Sequence, residues 1–366
     1  MPLIALIALT TPAPAPAAPV SASVATPAET TNVVRHSRSL YGTVVEIVTS
    51  VPKVNGEAAG NDAVYDAAFD EVRRVEKLVD ESDPSSLVAK LNAAAGKAAV
   101  VVDPEVYAIL AELVRLSKLT KGAFDVTAAV YDDAWHFDAA AAPTRDPLGA
   151  DVAPAAKPST GIPDKSAIDK ARALVGFDDL VLDAAARTAK LKTPGAHIGV
   201  HAVARGYALE RAAAVLEEKG LHDFIVSASG DLVVRGDKGG RPWMVGIQDP
   251  RAAGHFAAIP SESGAVMTTA DYEEFFFDGG VRFHSVLDPR TGQPATRCRS
   301  VTVVAKDALT AEAISRGVFV LGAKDGMALV DRLQTVQAVI VTSENKVIVS
   351  KGLKDVIQQR PPTDGP

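Results

Sequence analysis

The sequence predicts an α+β fold with mixed, largely antiparallel sheets and packed helices. Runs rich in β-branched residues are interspersed with helical patterns along the whole chain. Several of these runs come in pairs joined by short turns, as in hairpins, and hairpins make antiparallel neighbours. No internal repeat is evident, and 366 residues suffice for one large domain or two ordinary ones.

Composition and charge exclude some classes of function. The formal net charge is -7 and 23% of the residues are charged, without a basic stripe or Lys/Arg cluster, so we expect no nucleic-acid partner. Cys298 is the only cysteine. Neither an intrachain disulfide nor a cysteine-rich metal site is therefore possible. We interpret Cys298 as a small apolar packing residue.

Residues 1–32 read as a signal-like or disordered Ala/Pro-rich segment. The apolar run Leu3–Leu9 is too short to span a bilayer, and small residues suited to cleavage follow at Ala15–Ala18, although no basic start precedes them. We favour export over a merely disordered tail, which makes the protein exported, periplasmic or membrane-associated, and peripheral to the membrane at most. The folded domain is predicted over residues 33–352, with a flexible tail at 353–366.

Hydrophobic periodicity defines the elements of the N-terminal half. Apolar residues at helical spacing from Asn61 to Val79 leave the charges on the opposite face. The clearest helix runs from Asp103, a suitable N-cap followed by proline, to Lys121. The other predicted elements are a strand at Leu40–Thr49, a long irregular connection and possible lid at Asp138–Asp164, a short helix at Asp164–Leu174, and a hairpin of Leu180–Leu182 with Ala189–Lys192.

The C-terminal half is dominated by strands. Before them, the segment His197–Lys219 reads as a loop that leads into a helix, and Gly220 ends that helix. The remaining predicted elements are strands at Phe224–Ala228, Leu232–Val234, Trp243–Ile247 and Ser300–Ala305, a helix at Thr310–Leu321, and a terminal hairpin of Gln337–Thr342 with Lys346–Ser350.

The stretch Arg282–Gly292 has the features of a ligand site. Its Asp-Pro-Arg-Thr-Gly end forces a turn, because the proline fixes φ and the glycine adopts a conformation that other residues resist. That turn puts the carboxylate of Asp288, the hydroxyl of Thr291 and several backbone N–H groups at one strand end. A second polar cluster, Thr268–Tyr272, precedes a hairpin at Gly279-Gly280. The two clusters are either one side of a polar pocket or parts of an ordinary hairpin with a capped exit.

A further polar run, Gly122–Thr127, follows the exit of the helix that ends at Lys121. Its glycine, aromatic, acidic and hydroxyl residues could hold a polar ligand group, or could form only a helix C-cap and an Asx turn. The histidines outside the Arg282–Gly292 stretch show no repeated metal-ligand spacing.

Nine short motifs follow one another in an order that is more informative than any one of them. They are Tyr41-Gly42-Thr43, Ser86 with Asn92, Thr120–Thr127, Ala202–Ala208, Ser229-Gly230-Asp231, Pro242-Trp243 with Gly246-Ile247, Thr268 with Asp271-Tyr272, Asp288–Gly292 and Ser300–Val303. In this order the chain resembles the FAD:protein FMN transferases, the ApbE family. The resemblance covers about Tyr41 to Ser350, which is nearly all of the predicted domain.

The resemblance implies an ApbE-like, T-fold-like architecture and a specific reaction. Members of the family move the FMN half of FAD onto a Thr or Ser hydroxyl of a target flavoprotein and release AMP. FAD is then the donor and a target flavoprotein the partner. This is phosphoryl transfer at a pyrophosphate, for which the family uses a divalent cation, Mg²⁺, and a group that activates the hydroxyl.

The resemblance also implies roles for particular residues. It places the carbonyl of Ala202 and the carboxylate of Glu312 at the metal, and it makes His284, Asp288 and Thr291 the candidates for catalysis. The candidate FAD-binding residues are Tyr41, Ala123, Phe124, Asp125, Thr127, Arg205, Asp231 and Asp271.

Several positions depart from the family pattern. The Tyr of the helix-end motif falls on Ser82, the Asp ahead of Ile-Ala-Lys-Gly falls on Gly199, and the Lys of that motif is Arg205, which can still pair with phosphate. The His before the Asp-Pro falls on Ser285. The neighbouring His284 is one position off, which in a strand means the opposite face.

The metal corner departs further. The family's metal-binding Asp falls on Glu312 and its Thr four residues later falls on Arg316, whose fixed charge would lie beside the cation. We expect Glu312 and Arg316 to pair with each other, with the guanidinium replacing Mg²⁺. Three functions therefore remain open: an active transferase that uses Glu312 and His284, a catalytically impaired flavin-binding member, or an interaction protein whose pocket has closed.

Overall fold

The computed structural model describes residues 32–51, 53–54, 57–58, 62–135, 137 and 161–359. In these ranges every strand pairing is antiparallel, which confirms the α+β prediction with largely antiparallel sheets. The helices are α1 Asp62–Val79, α2 Leu87–Ala93, α3 Pro104–Leu119, α4 Lys165–Arg172, α5 His201–Glu218 and α6 Ala308–Leu333, with 3₁₀ helices at Val126–Asp133, Phe177–Asp179 and Lys351–Leu353.

Eight of the described strands form one sheet, and the others form two three-stranded sheets and three two-stranded ones. In chain order they are β1 Asn32–Leu40, β2 Thr43–Val51, β3 Lys53–Val54, β4 Glu57–Ala58, β5 Val100–Val101, β6 Leu180–Asp183, β7 Thr188–Leu191, β8 Phe224–Ala228, β9 Asp231–Arg235, β10 Trp243–Gln248, β11 His255–Ser261, β12 Ser263–Ala270, β13 Phe275–Asp278, β14 Val281–His284, β15 Leu287–Asp288, β16 Gln293–Pro294, β17 Cys298–Ala305, β18 Gln337–Thr342, β19 Val347–Val349 and β20 Gln358–Gln359.

Three layers make up the molecule. The middle layer is an eight-stranded sheet in the order β1-β2-β8-β9-β12-β17-β18-β19. Helices α5 and α6 pack on one face of it, and α1 and α3 pack on those helices. A small sheet, β10-β11-β20, covers the other face through a second apolar core that includes Trp243, Phe256 and Ile259. The central strands are buried on both sides, and for that reason β12, β17 and β18 are almost continuously buried.

Two of the helices follow directly from their sequences. The Asp103 carboxylate accepts a 2.8 Å bond from the backbone N–H of Val106 and caps α3, whose predicted apolar stripe is buried. Helix α6 continues beyond the predicted end at Leu321. It kinks at Gly322, where φ is 80°, and runs on to Leu333. Gly322 therefore does not end the helix but forms a kink between two helical segments.

Some of the predicted elements have different limits in the structure. The strand predicted at Leu40–Thr49 is divided by a tight turn, because Tyr41 and Gly42 both have positive φ, and most of it forms β2. The cluster Thr268–Tyr272 lies largely in β12, a strand that the sequence did not indicate. Neither α2 nor β11 was predicted.

Most of the possible lid at Asp138–Asp164 lies outside the described residues. Within the predicted tail, 353–366, Leu353 is buried and β20 pairs with β11 through Ala257 and Ala258, so this part of the tail belongs to the fold. Over the part of the chain that the structure describes, no helix is long and apolar enough to cross a membrane.

Candidate functional site

A cavity of about 180 Å³ lies on the helical side of the main sheet. Four separate segments and one side chain from the α1–α2 turn line it. The segments are Ala123–Asp132, the start of α5 with Gly199, the stretch Ser285–Pro289, and the part of α6 that carries Arg316; the additional side chain is Glu81. We call it the central cavity.

The loop after α3 forms one wall of the central cavity. Ala123, Phe124 and Asp125 line it. Asp125 Oδ1 accepts from the backbone N–H and the hydroxyl of Thr127 at 2.9 and 2.7 Å, and Oδ2 accepts from the N–H of Phe177 at 2.8 Å. Burial raises the pKa of the Asp125 carboxyl. The Asx-type turn is thus confirmed, and it forms part of a cavity wall, whereas a ligand role for this run stays a prediction.

The Asp288–Gly292 turn lies beside the cavity rather than in it. The hydroxyl of Tyr131 donates to the carbonyl of Pro289 at 2.9 Å, and the Trp135 indole donates to the carbonyl of Gly292 at 2.8 Å. Asp288 is engaged by Arg290 at 2.7 Å, and Thr291 is exposed. Of this turn only Pro289 lines the central cavity, so the structure does not bring the Asp288 and Thr291 side chains into its wall.

A charged cluster lies where α5, β9 and α6 meet. Arg205 donates to Asp231 at 2.6 Å, and Arg316 Nε donates to Glu312 Oε1 at 2.6 Å, which confirms the expected Glu312–Arg316 pair. Burial, with Glu312 nearby, raises the pKa of the Asp231 carboxyl. With both carboxyl groups ionised, the cluster contains two guanidinium groups and two carboxylates and has no net charge.

His284 and Asp271 lie in a different place. Asp271 forms a two-bond pair with Arg251, at 2.7 and 2.6 Å, and His284 Nε2 donates to the carbonyl of Ala295 at 2.9 Å. Both residues line a second cavity of about 270 Å³, whereas Ser285 lines the central cavity. The predicted opposition of the two neighbouring side chains is therefore confirmed. Burial lowers the pKa of the His284 imidazole to about 4.

Tyr41 lies in the β1–β2 turn. Its backbone N–H donates to Glu76 at 2.8 Å and its ring stacks on His201, with 4.7 Å between ring centroids. His201 is the first residue of α5, and the next residue, Ala202, lines the central cavity. Tyr41 thus contacts the helix that forms the cavity wall but does not itself line the cavity.

Glu81 is a cavity residue that the sequence analysis did not select. Its Oε1 accepts from the backbone N–H of His201 at 2.8 Å and also from that of Val200, the N-cap of α5, whose own side chain supplies no cap. A Cβ at Gly199 would lie 2.7 Å from the Ala129 Cβ and 3.9 Å from Glu81 Oε1. A carboxylate from another element therefore occupies the space beside Gly199. The only feature of the sequence that pointed to such a carboxylate was the glycine at position 199, where the family pattern has an Asp.

The residues present do not fit a magnesium site. Among the described residues, no group of three or more His, Cys, Asp or Glu side chains could hold a metal ion. Ala202 does line the central cavity, but the Glu312 carboxylate is already bound by Arg316. A divalent cation here would add two charges to a cluster that is neutral without it.

Comparison with known proteins agrees with this architecture and with the order of the motifs. The ApbE family model matches residues 41–340. An FAD:protein FMN transferase of Treponema pallidum is 28% identical over 320 residues, covering 82% of this chain and 83% of that protein. One from Klebsiella pneumoniae is 30% identical over 261 residues, covering 70% of each. The crystal structure of the ApbE protein from Thermotoga maritima superposes with a TM-score of 0.75 at 29% identity, covering 89% of this chain and 99% of that one.

The fold and the cavity thus define a class of antiparallel α+β proteins with a polar pocket on the helical side of the main sheet. Within that class, this chain belongs to the ApbE family.

Proposed function

We propose that this chain is an FAD:protein FMN transferase. It binds FAD in the central cavity and transfers FMN to a Thr or Ser hydroxyl of a target flavoprotein, with release of AMP. The observation that carries this proposal is that four segments far apart in sequence, all within the ApbE match, line a single cavity. The curated relatives named above carry this activity in their names.

In this reaction one bond forms and one breaks. The hydroxyl oxygen of the target bonds to the FMN phosphorus, the bond from that phosphorus to the bridging oxygen breaks, and AMP leaves with that oxygen. The hydroxyl proton needs an acceptor. Among the described residues, the carboxylates of Glu81, Asp125 and Asp132 line the central cavity and are candidates to take it. His284 stays a prediction for this role, with its ring in the second cavity.

The test is incubation of the protein with FAD and a target flavoprotein domain, followed by a denaturing gel. We expect a fluorescent band at the target, because covalently attached FMN survives denaturation, together with AMP in equal amount. A target that stays dark while AMP is absent would contradict the transferase activity. A target variant with its acceptor Thr replaced by Ala is the matched control.

A second function is favoured by one specific observation. Within the described residues no histidine lines the central cavity, and Ser285 occupies the position where the family has one. Serine accepts a proton poorly at neutral pH. The second candidate is therefore a flavin-binding member that does not transfer FMN. In the same assay it would retain flavin through purification and leave the target unlabelled.

We also propose that the protein is exported and works in the periplasm or at a membrane surface. The support is the apolar run Leu3–Leu9 with the small residues at Ala15–Ala18, which the structure does not describe. Cell fractionation with N-terminal sequencing tests this. A mature chain found outside the cytoplasm that begins after residue 15 is expected, and an unprocessed chain confined to the cytoplasm would contradict it.

A further inference from the structure

Helix α6 presents a guanidinium to the central cavity. The Glu312 side chain is 4% exposed, whereas that of Arg316, one helical turn later, is 34% exposed and lines the cavity. The bond between them uses Arg316 Nε, 2.6 Å from Glu312 Oε1. The two terminal nitrogens of the guanidinium are not part of this bond. The pair therefore fixes the arginine on the helix without using its full donor capacity.

The charges around this pair make Arg316 the group of the cavity wall that can attract an anion. Glu312 acts electrostatically on both Asp231 and Arg205, so the two ion pairs form one neutral cluster. Of the described residues that line the central cavity, Arg316 is the only Lys or Arg. The other charged lining residues, Glu81, Asp125 and Asp132, are acids that repel an anion when they are ionised, so a phosphate group is attracted to the wall at Arg316 alone.

We propose that Arg316 takes the place of a divalent cation, so that the diphosphate of FAD binds to its guanidinium and FAD binding does not depend on Mg²⁺. This rests on the proposed function, because FAD is taken as the ligand. Arginine suits the role, since its planar fork donates parallel N–H bonds to phosphate oxygens. It supplies charge and hydrogen bonds but not Lewis-acid polarisation.

The first experiment is a titration of the protein with FAD, followed by flavin fluorescence, in EDTA and again in Mg²⁺. The wild type should have the same affinity in both. Arg316→Thr should lose about tenfold or more in EDTA and recover in Mg²⁺, because threonine leaves the Glu312 carboxylate open to a cation. Arg316→Lys should lose less, since it keeps the charge but not the fork.

Arg115→Thr is the matched control for loss of charge. Arg115 pairs with Glu112 at 2.5 Å on the exposed surface of α3, away from the central cavity, so its replacement should leave FAD affinity unchanged. The inference is overturned if wild-type FAD binding is lost in EDTA and restored by Mg²⁺. It is equally overturned if Arg316→Thr binds FAD in EDTA as tightly as the wild type.

A second measurement without flavin separates this inference from the proposed function. The melting temperature of Arg316→Thr should rise with Mg²⁺, since a ligand that binds the folded state stabilises it, whereas that of the wild type should not. If the variant gains this response while neither protein binds FAD, the cation replacement stands and the proposed function fails. If the wild type itself responds to Mg²⁺ and Glu312→Gln abolishes the response, the replacement is wrong.

Discussion

At the scale of single residues, the direction of each side chain determines which of the two cavities it lines. Ser285 and His284 are neighbours in sequence, yet one lines the central cavity and the other the second cavity. Glu81 reaches the start of α5 from the turn after α1 and places a carboxylate beside Gly199. The wall of the central cavity therefore contains residues that no motif includes, such as Glu81, as well as residues that belong to a motif.

The first prediction at this scale concerns Glu81. Glu81→Ala removes the acceptor for the N–H groups of Val200 and His201, so the free energy of unfolding should fall by about 1–2 kcal/mol, as for loss of a helix N-cap. Glu81→Gln keeps an acceptor oxygen and should cost clearly less. Urea unfolding of the three proteins measures this, and equal stability of the alanine variant and the wild type would contradict it.

The second prediction concerns the pH dependence of stability. Burial lowers the pKa of His284 from its ordinary value of 6.5 to about 4. Between these two pH values the imidazole is protonated in the unfolded chain but stays neutral in the folded chain. Stability should therefore fall as the pH drops from 6.5 to 4, by a total on the order of 3 kcal/mol from this residue. Urea unfolding at pH 7 and pH 4.5 measures the loss.

Replacement of the imidazole isolates this contribution. His284→Gln should reduce the loss between pH 7 and pH 4.5, because glutamine does not titrate, whereas His222→Gln, at an exposed position, should leave most of it in place. An equal loss in His284→Gln and in the wild type would show that the acid sensitivity has another source.

At the scale of elements, the turn beside the cavity is fixed by packing as well as by its sequence. Gly292 has φ of 69°, as its place in the Asp-Pro-Arg-Thr-Gly run predicts. The turn is further held by the Tyr131 hydroxyl and the Trp135 indole, both from the segment after the Asp125 loop. Two walls of the central cavity are thus joined through buried aromatic side chains.

The prediction at this scale is a comparison of two glycines. A Cβ at Gly292 would lie 2.4 Å from Tyr131 Cε1, whereas one at Gly254, also at positive φ, meets nothing within 4 Å. Gly254→Ala therefore carries only the backbone strain, about 1 kcal/mol, and Gly292→Ala adds a clash with a buried ring that brings the total to about 3 kcal/mol. Thermal unfolding of both variants measures the difference, and equal melting temperatures would contradict it.

At the scale of the whole molecule, one sheet serves two cores. The helices pack on one face and the β10-β11-β20 sheet packs on the other, so both cores share the central strands. A loss of packing on the side away from the cavity should therefore destabilise the entire domain rather than one part of it.

The shared strands predict how the loss of one buried ring affects the domain. Phe256 is 1% exposed in the core beneath the small sheet, and Phe256→Ala should lower the free energy of unfolding by about 3–5 kcal/mol. Circular dichroism and tryptophan fluorescence should still report one coincident transition, because the cores share strands. Two separate transitions would mean that the layers unfold independently. Met244→Ala, at an exposed position of the same sheet, is the matched control.

Elements that have local causes could be predicted from the amino-acid sequence alone. Asp103 caps α3, the period of its apolar residues sets the buried face, and Gly292 sets the turn, because each depends on near neighbours in the chain. The sequence also determined the family, since the order of motifs survives changes at single positions. The pairing of Glu312 with Arg316 could be predicted because the two residues lie four apart on one helix.

Which side chains share the cavity depends on how distant segments pack against each other. Val200 and Glu81 are 119 residues apart, so no local rule joins a carboxylate after α1 to the start of α5. The same holds for β20, whose two residues become a strand only because β11 offers an unpaired edge. Contacts between distant segments depend on how whole layers pack, and a single sequence read in short windows does not contain that information.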